Sequence, residues 1–330
     1  MPGPPAPAPR ALIIAPSGWP QDPARYQRGL ERLRQAGFEV LGADRGLRRA
    51  SRYAGSEDER ALDLNALCGP DTPMPDLVLL PRGGYGAIHL LDRIDYARLC
   101  PRLLQAGTVV MGYSDYTALS MALLAKGKVI NWSGPMVCTD LGVDRPDPAM
   151  ADGLRRGLTS PELELRVDAP QTDSGSAEGT FWGGNLATLV SLVGTPYLPD
   201  IRGGLLFLED DAEPPYRVDR LLFQLYHAGI LGRQKAILLG AFTSVPEDTT
   251  DACYTLETVV ADLRARLGGI PVFTGLPVGH IPGLQAVPVG GHGRVAGGPG
   301  GYALTLTGHP CLGRVPARWW DPGWTAPAER

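Results

Sequence analysis

Ser114 occupies a position where a serine could serve as a nucleophile. It is the serine of the motif GYSD, which follows the apolar run TVVM and precedes a helix-like pattern. A sharp turn from a strand into a helix can expose a serine hydroxyl and direct nearby N–H groups at a reacting oxygen. However, the second glycine of the usual G-x-S-x-G pattern is replaced by Tyr116, and serine is also a preferred cap for a helix N-terminus. Taken alone, the motif leaves both roles open.

A glycine-rich turn offers a partner for such a nucleophile. The segment PRGGYG, at positions 81–86, follows another apolar run and contains Gly83 and Gly84 in succession. Consecutive glycines let the backbone approach a ligand and present free N–H groups, which an oxyanion hole requires. An ordinary strand-to-helix turn is the alternative. The segment lacks the glycine spacing of dinucleotide-binding turns and the terminal Lys-Ser/Thr of phosphate loops, which argues against a nucleotide cofactor.

A serine nucleophile also needs a base and an acid that orients the base. The five histidines are His89, His227, His280, His292 and His309. His280 follows the segment GLPVG at a predicted strand end and starts an irregular loop, where a positioned yet adaptable base is expected. Glu209 closes the apolar run GGLLFLE, and Asp210, Asp211 and Glu213 are alternative acids. The residues by themselves indicate a Ser-His-acid hydrolase but do not decide between these groups.

Apolar runs alternate with helix-like periods in the first half of the chain, which predicts an α/β fold with an open, mostly parallel sheet flanked by helices. In such sheets ligands lie at the carboxyl ends of the strands, where the two turns described above would meet. The helix predicted after the glycine turn is AIHLLDRIDYARLC. In the second half, strand and helix patterns lead into a glycine-rich stretch. This pattern predicts a mixed α/β domain with a barrel-like sheet of short antiparallel strands.

The chain is predicted to divide into five segments. They are a disordered lead-in (1–10), an N-terminal α/β domain with the nucleophile (11–160), a polar linker (161–177), a C-terminal domain with the acid and base (178–316) and a tail (317–330). A chain of 330 residues, 44% hydrophobic and 20% charged, can form two such domains.

Charge and cysteine usage exclude several classes of partner. The formal net charge is −4 and there is no basic block, so neither nucleic acid nor an anionic membrane is an expected partner. No apolar stretch could span a bilayer, and the start MPGPPAPAPR lacks the features of a secretory signal, so we expect a cytoplasmic protein.

The five cysteines are scattered and none has metal-ligand spacing with a histidine. We therefore expect reduced thiols, no metal and no cofactor.

Several longer motifs resemble those of the LD-carboxypeptidases, which are serine peptidases of the murein tetrapeptide type. The segments are RGGYG, GYSDYTAL, WGGNLATLVSLVGTPYLPD, LFLEDDAEPPYRVDRLLFQLYHAGIL and GLPVGH. The resemblance extends from about residue 12 to residue 310. It implies that Ser114 is the nucleophile, Glu209 the orienting acid and His280 the base. It also implies an oxyanion hole made by the backbone N–H groups of Asp115 and of the RGGYG turn, from Gly83 or Gly84.

An exopeptidase must also recognise the free carboxylate at the end of its substrate. Arg82 is a candidate for this contact by charge and position. Trp182 and Asn185, in the motif WGGNL, are candidates for shaping the cleft. Arg217 and Arg220 are further candidates for anion contacts, with surface ion pairs as the alternative.

The resemblance implies an activity as well as residues. LD-carboxypeptidases remove the terminal D-alanine from the tetrapeptide of cytoplasmic cell-wall fragments in peptidoglycan recycling, without a metal, and the family suggests a homodimer. The acid and base would come from the second domain, so the active site is expected in the cleft between domains. One rival function is that of a microcin C immunity peptidase, which cleaves peptide–nucleotide conjugates. A non-enzymatic rival is a two-lobed protein that binds a small molecule.

Overall fold

A computed structural model describes residues 7–170, 172–245, 254–298, 300–313, 315 and 318. Its strands are β1 (Arg10–Ile13), β2 (Glu39–Leu41), β3 (Leu77–Leu79), β4 (Val109–Gly112), β5 (Asn131–Ser133), β6 (Glu162–Asp168), β7 (Gly175–Asn185), β8 (Leu205–Asp211), β9 (Ala236–Thr243), β10 (Val272–Phe273), β11 (Val287–Val289), β12 (His292–Gly298) and β13 (Gly301–Thr307). Its α-helices are α1 (Pro23–Ala36), α2 (Glu57–Asn65), α3 (Tyr96–Ala106), α4 (Tyr116–Gly127), α5 (Pro148–Thr159), α6 (Leu186–Ser191), α7 (Pro215–His227) and α8 (Leu256–Leu267).

The first sheet has the strand order β11-β5-β4-β3-β1-β2. Its five N-terminal strands are parallel to their neighbours, which confirms the predicted open, mostly parallel sheet. The strands β3 and β4 are buried along their whole length, as continuous apolar runs in a covered parallel sheet should be. Because β3 and β4 are adjacent and parallel, the PRGGYG turn and the GYSD turn leave the sheet at the same edge.

The sixth strand of this sheet comes from far along the chain. β11 pairs antiparallel with β5, with Val287 opposite Ser133. A segment predicted to belong wholly to the C-terminal domain therefore contributes a strand to the N-terminal sheet. The three residues of β11 carry no sequence feature that indicates which sheet they join. The sequence alone therefore does not predict this pairing.

The second sheet has the strand order β10-β9-β8-β7-β12-β13-β6. β7, β8, β9 and β10 are mutually parallel, whereas β7, β12, β13 and β6 pair antiparallel. The mixed α/β character and the glycine-rich antiparallel hairpin are as predicted. The pairings among the described strands form an open series from β10 to β6, so the barrel-like detail is not confirmed.

Two predicted segments differ from the structure. Residues 161–177, predicted as a linker, include β6, whose Leu163, Leu165 and Val167 alternate into the core and pair with β13. The helix predicted over AIHLLDRIDYARLC is instead a short 3-10 turn at Ala87–Leu90 followed by α3. Asp95 starts α3 as its N-cap, and a side chain from α2 binds the Asp95 N–H, so a tertiary contact sets this helix boundary.

A close contact joins the two sheets. The N–H of Asn185, at the end of β7, donates to Thr117 Oγ1 of α4 at 3.0 Å. Gly184, with φ +151°, permits this approach, since a Cβ there would lie 2.5 Å from Thr117 Oγ1. Asn185 is in register with Glu209 of the neighbouring strand β8. Docking β7 on α4 therefore brings Glu209 to the side of the molecule where α4 begins.

Some predictions concern residues outside this description. The lead-in at 1–10 is described only from residue 7, the tail at 317–330 only at residue 318, and Cys253 not at all. The four described cysteines are free. None of the described helices combines the length and hydropathy needed to cross a membrane. The domain boundaries remain predictions.

Candidate active site

A cavity of about 400 Å³ opens where the two sheets meet. Its walls come from the turns after β3 and β4, from α6, from the end of β8 and from the loop after β10. The lining residues are Arg82, Gly83, Gly84, Tyr85, Ile88, Tyr113, Ser114, Asp115, Met136, Thr139, Asn185, Ala187, Thr188, Ser191, Asp210, Asp211, Ala212, Glu213 and His280. Residues more than 160 positions apart in the chain thus share one cavity.

Ser114 has a left-handed backbone conformation, with φ 63°. A non-glycine residue in this region costs about 1–3 kcal/mol and persists only where the surroundings impose it, often at functional sites. Asp115, and not Ser114, is the N-cap of α4, and no side chain caps this helix start. The helix-cap role left open for Ser114 is therefore excluded. The strained turn instead exposes its side chain to the cavity.

The backbone of the glycine turn passes close to the Ser114 hydroxyl. A Cβ placed on Gly83 would lie 2.8 Å from Ser114 Oγ and 3.5 Å from the Asp115 nitrogen. Among the described residues, the N–H groups of Gly83, Gly84 and Asp115 find no hydrogen-bond acceptor. Unpaired amide donors beside a hydroxyl are what stabilisation of an oxyanion requires.

The glycine turn is held from two sides. Asp115 Oδ2 accepts hydrogen bonds from the N–H groups of Gly86 and Ala87, at 2.8 and 3.0 Å. On the other side, the buried guanidinium of Arg60 donates to the Gly86 carbonyl at 2.9 Å and lies over the Tyr53 ring. Burial lowers the pKa of Arg60. Asp115 therefore links the serine turn to the glycine turn through its carboxylate, independently of its own N–H.

His280 is oriented by Glu209. The His280 Nδ1 and Glu209 Oε2 atoms are 2.9 Å apart, and Glu209 is only 1% exposed. Glu209 lies at an irregularity in the pairing of β8 with β9, where a bulge can redirect a side chain. Gly279, with φ +109°, leaves room for the carboxylate, since a Cβ there would lie 2.8 Å from Glu209 Oε2.

The charge state of His280 follows from its surroundings. Burial acts to lower its pKa, but the hydrogen bond and negative charge of Glu209 act in the opposite direction, with smaller contributions from Asp211 and Asp210. The net effect raises the pKa of His280 above the ordinary value for histidine. The Glu209 carboxylate thus stabilises the imidazolium form, as the acid of a catalytic triad does.

The alternative acids have other partners. Asp210 accepts hydrogen bonds from Asn185 Nδ2 at 2.8 Å and from the Ala187 N–H at 2.9 Å, and burial raises its pKa to about 6. Asp211 accepts from a threonine hydroxyl of β9, and Glu213 pairs with Arg217. All three acids line the cavity, but Glu209 is the one that contacts His280.

The other histidines lie outside the cavity. His89 is exposed and pairs with Glu57, His227 ends α7 among aromatic rings, and His292 starts β12 at the surface. His309 is buried and contacts the Ser160 carbonyl. Among the described histidines, only His280 lines the cavity. Within the described residues, no hydrogen bond joins Ser114 to His280, and such bonds in substrate-free enzymes often form only when substrate binds.

The substrate-binding candidates separate into two groups. Arg82 and Asn185 line the cavity, and their contact with substrate stays a prediction. Trp182 does not: its side chain is fully buried in the core, where the indole N–H donates to Gln234 Oε1 at 3.2 Å. Trp182 is therefore not a substrate contact in this structure. Arg217 and Arg220 are also absent from the lining, and Arg217 forms the surface ion pair that was the alternative.

Sequence reasoning missed several residues around the site. The bracing roles of the Asp115 carboxylate and Arg60 had no local signal, because their partners are distant in sequence. Tyr113, next to the serine in the GYSD motif, lies with its ring centroid 4.9 Å from that of His280. Its position in the motif was a signal that could have been used. No group of three or more potential metal ligands occurs within the described ranges.

Comparison with known proteins assigns a family to this geometry. Residues 12–134 match the LD-carboxypeptidase N-terminal domain, and residues 178–295 match the LD-carboxypeptidase C-terminal domain. The chain belongs to the LD-carboxypeptidase family. It is a serine-type carboxypeptidase by this membership, and the resemblance seen in its motifs is confirmed.

Individual relatives of this LD-carboxypeptidase cover most of the chain. A probable murein peptide carboxypeptidase of Bacillus subtilis is 34% identical over 285 residues, covering 84% of this chain and 86% of that protein. The crystal structure of a muramoyltetrapeptide carboxypeptidase from Oxalobacter formigenes superposes with a TM-score of 0.83 at 36% identity, covering 91% of this chain and 99% of that one. The microcin C7 self-immunity protein MccF of Escherichia coli is 27% identical over 299 residues, covering 81% and 83%.

Proposed function

We propose that this LD-carboxypeptidase removes the terminal D-alanine from murein tetrapeptides by hydrolysing the bond between an L-configured diamino acid and that residue. One observation carries the proposal. His280, held by Glu209, lines the same cavity as the strained Ser114. The names of two relatives, a murein peptide carboxypeptidase and a muramoyltetrapeptide carboxypeptidase, support the choice of substrate.

In the first step, Ser114 is the nucleophile and His280 the general base. The neutral imidazole takes the hydroxyl proton as Oγ attacks the carbonyl carbon of the diamino acid. The buried Glu209 carboxylate accepts the hydrogen bond from Nδ1–H, so that Nε2 is the nitrogen free to accept a proton. The imidazolium that forms is stabilised by the adjacent negative charge.

The negative charge that develops on the carbonyl oxygen must then be stabilised by hydrogen-bond donors. The unpaired N–H of Asp115, with that of Gly83 or Gly84, is proposed to bind the tetrahedral oxyanion. The bracing of the glycine turn by Asp115 and Arg60 holds such donors in place before the charge develops. Fixed donors avoid the reorganisation that water would require.

The second half of the reaction reverses the proton transfers. His280 gives its proton to the amine of D-alanine as the C–N bond breaks, which leaves an acyl ester on Ser114. Water then attacks this ester with His280 again acting as base. His280 returns that proton to Ser114 Oγ as the ester C–O bond breaks, and the shortened peptide leaves with the water oxygen in its new carboxyl group. Each proton and bond is accounted for by these residues and one water molecule.

Arg82 is proposed to bind the terminal carboxylate of the substrate. It is the only arginine or lysine among the described residues that line the cavity. Its buried Nε makes no hydrogen bond, and it forms no ion pair with any described residue. A guanidinium next to the leaving group can pair with a carboxylate and so favour the last residue of a chain.

The cellular setting extends the proposal. Cytoplasmic cell-wall fragments released during peptidoglycan recycling are the proposed source of the tetrapeptide, and a homodimer is the proposed assembly. Recovery of tripeptide and tetrapeptide pools from cells with and without the protein would test the recycling role, and light scattering would test the dimer.

The enzymatic test uses the peptide L-Ala-γ-D-Glu-diaminopimelate-D-Ala and mass spectrometry. We expect the wild type to release one alanine, with or without a chelator, and to be labelled by a fluorophosphonate probe. Ser114→Ala should abolish both. Ser120→Ala is a matched control, because the Ser120 hydroxyl is buried in α4 without a partner and outside the cavity. Equal turnover by wild type and Ser114→Ala would refute the proposal.

A second measurement tests Arg82. The wild type should prefer a peptide ending in free D-alanine over one ending in D-alaninamide. Arg82→Met should reduce this preference by about 10- to 100-fold, as expected for loss of a charge-assisted hydrogen bond. An unchanged preference would exclude Arg82 as the carboxylate ligand while leaving the triad proposal standing.

The alternative function is cleavage of peptide–nucleotide conjugates, because the microcin C7 self-immunity protein is also a relative. An aminoacyl sulfamoyl adenosine is a suitable probe. Cleavage of an acyl adenylate analogue without release of D-alanine from the tetrapeptide would favour this alternative. If the wild type bound these ligands without turnover, the result would favour the hypothesis of a two-lobed protein that binds a small molecule.

A further inference from the structure

Tyr113 makes a specific contact with His280. The two rings have their centroids 4.9 Å apart and are inclined at 67°, an edge-to-face arrangement. Tyr113 is the residue immediately before Ser114 and is only 5% exposed. Two consecutive residues of the turn after β4 therefore carry the serine and a ring that contacts the histidine from the second part of the chain.

The phenol of Tyr113 is anchored at its far end. Its hydroxyl donates to Asp140 Oδ1 at 3.3 Å. The other oxygen of Asp140 accepts from the Met136 N–H at 2.8 Å and from the Thr139 hydroxyl at 2.7 Å. The Asp140 carboxylate is thus held by two further donors, which makes it a fixed acceptor for Tyr113.

The segment that carries Asp140 is itself held firmly. Asp140 lies in the π-helical turn Val137–Leu141, a rare conformation often found at functional sites. The first two N–H groups of this turn donate to carbonyls just after β3, at 2.9 and 2.8 Å. Arg25, Arg28 and Arg32 of α1 donate to backbone carbonyls in and just after the turn. The acceptor for Tyr113 therefore has little freedom to move.

We propose that Tyr113 and Asp140 form a second support for His280, a positioning pair that sets the angle of the imidazole toward Ser114. A hydrogen bond at Nδ1 alone leaves the imidazole free to tilt about that contact. The Tyr113 ring blocks this tilt, and Asp140 keeps the Tyr113 ring in place. The role assigned to His280 rests on the proposed function.

The charges facing His280 decide which variant is informative. They are the carboxyl groups of Glu209, Asp210 and Asp211 from the end of β8, and that of Asp140 from the π-helical turn, whose pKa is raised by burial. Replacing Asp140 removes an ionisable group as well as a contact. Tyr113→Phe leaves all four carboxyl groups in place and removes only the hydrogen bonds of the phenol hydroxyl, to Asp140 and Thr139, so it tests positioning with the carboxyl groups retained.

The experiment compares Tyr113→Phe, Asp140→Asn and the double variant with Tyr116→Phe. Tyr116 is a matched control, since it is a buried tyrosine at the start of α4 whose hydroxyl donates to Asn131 Oδ1 and which does not line the cavity. We expect Tyr113→Phe to lower kcat about 10- to 100-fold with little change in KM, because small misplacements of a catalytic group cost this much. The double variant should be no slower than the slower single variant, since both act through one contact.

The pH profile of kcat/KM separates positioning from general destabilisation. In Tyr113→Phe, the acid limb of the kcat/KM profile should move to lower pH, because a looser imidazole loses part of its bond to Glu209. Tyr116→Phe should leave that limb unchanged. Equal effects of Tyr113→Phe and Tyr116→Phe, or fully additive effects of the two single variants, would overturn the proposal. Thr139→Val, which removes one donor to Asp140, should show the same shift to a smaller extent and serves if Asp140→Asn does not fold.

A measurement without substrate distinguishes this proposal from the proposed function. NMR titration of the His280 ring in wild type, Tyr113→Phe and Tyr116→Phe reports the imidazole directly. A lower pKa for His280 in Tyr113→Phe alone supports the positioning pair even if no tetrapeptide is cleaved. The same His280 pKa in all three proteins contradicts it, whatever the substrate.

Discussion

Asp115 binds Gly86: its Oδ2 atom accepts the Gly86 N–H at 2.8 Å and the neighbouring Ala87 N–H at 3.0 Å. Because Asp115 follows Ser114 directly, this bond fixes the distance between the serine turn and the glycine turn. The two turns leave adjacent parallel strands at one sheet edge, but strand pairing ends before either of them. Beyond the last backbone hydrogen bonds between the two strands, the Asp115 carboxylate connects the serine turn to the glycine turn.

Replacing Asp115 should therefore affect stability and activity together. In Asp115→Ala two buried N–H groups lose their acceptor, so we expect the free energy of unfolding to fall by about 2–4 kcal/mol. Asp115→Asn keeps one oxygen and should lose less. Urea denaturation measures the change. Asp58→Ala, which removes an exposed acid, should stay within about 0.5 kcal/mol of wild type. Equal stability of Asp115→Ala and wild type would show that the bond does not brace the turn.

Gly83→Ala should impair catalysis without unfolding the protein. Gly83 does not have a positive φ, so alanine fits its backbone, but the new Cβ would lie 2.8 Å from Ser114 Oγ and 2.9 Å from Ser114 Cβ. The serine must move, and we expect kcat to fall about 100-fold. Gly232→Ala, where a Cβ meets nothing within 4 Å, is the control. Steady-state kinetics and thermal denaturation of both variants check this, and retention of full activity by Gly83→Ala would contradict the placement of Ser114.

The pH dependence of activity should report His280. The imidazole must be neutral to accept the serine proton, and Glu209 raises its pKa, so kcat/KM should climb with pH and level off above the ordinary histidine value of about 6.5. Glu209→Gln should move this limb to lower pH and reduce the plateau by about 10³–10⁴-fold. A limb that does not move in Glu209→Gln would assign it to another group.

The raised pKa of His280 also increases the free energy of unfolding at pH values below the unfolded pKa of about 6.5. This contribution is lost as pH rises through the folded pKa.

Asp210 should make stability fall as pH rises. Burial raises its pKa to about 6 in the folded protein, whereas the unfolded chain titrates near 3.9. Between these values the folded state binds the proton more tightly, so ionisation lowers the free energy of unfolding by up to about 3 kcal/mol as pH rises from about 4 to 6. Comparison of wild type with Asp210→Asn by urea denaturation across this range isolates the effect. A pH-independent difference between the two proteins would mean that Asp210 titrates normally.

The sequence was sufficient for the local elements where one signal dominated. Continuous apolar runs bounded by turn residues predicted β1, β3 and β4, because such runs are typical of buried parallel strands. Where two sequence signals disagreed, the structure follows the less prominent of the two. In residues 161–177 the polar composition suggested a linker, but every second residue from Leu163 to Val167 is buried. The helix predicted from residue 87 is interrupted because Asn65 of α2 binds the start of α3.

For the site, the sequence by itself determined which chemical groups were available and, through its long motifs, the family. The tertiary structure decided which groups meet. Glu209 and Asp210 are adjacent acids of equal chemical merit at an irregularity in strand pairing, yet the first contacts His280 and the second accepts a hydrogen bond from Asn185. Likewise Trp182 is buried in the core although Asn185, three residues on, reaches the cavity. Residue chemistry is encoded one position at a time, whereas contacts between distant residues depend on register and burial, which only the packed chain defines.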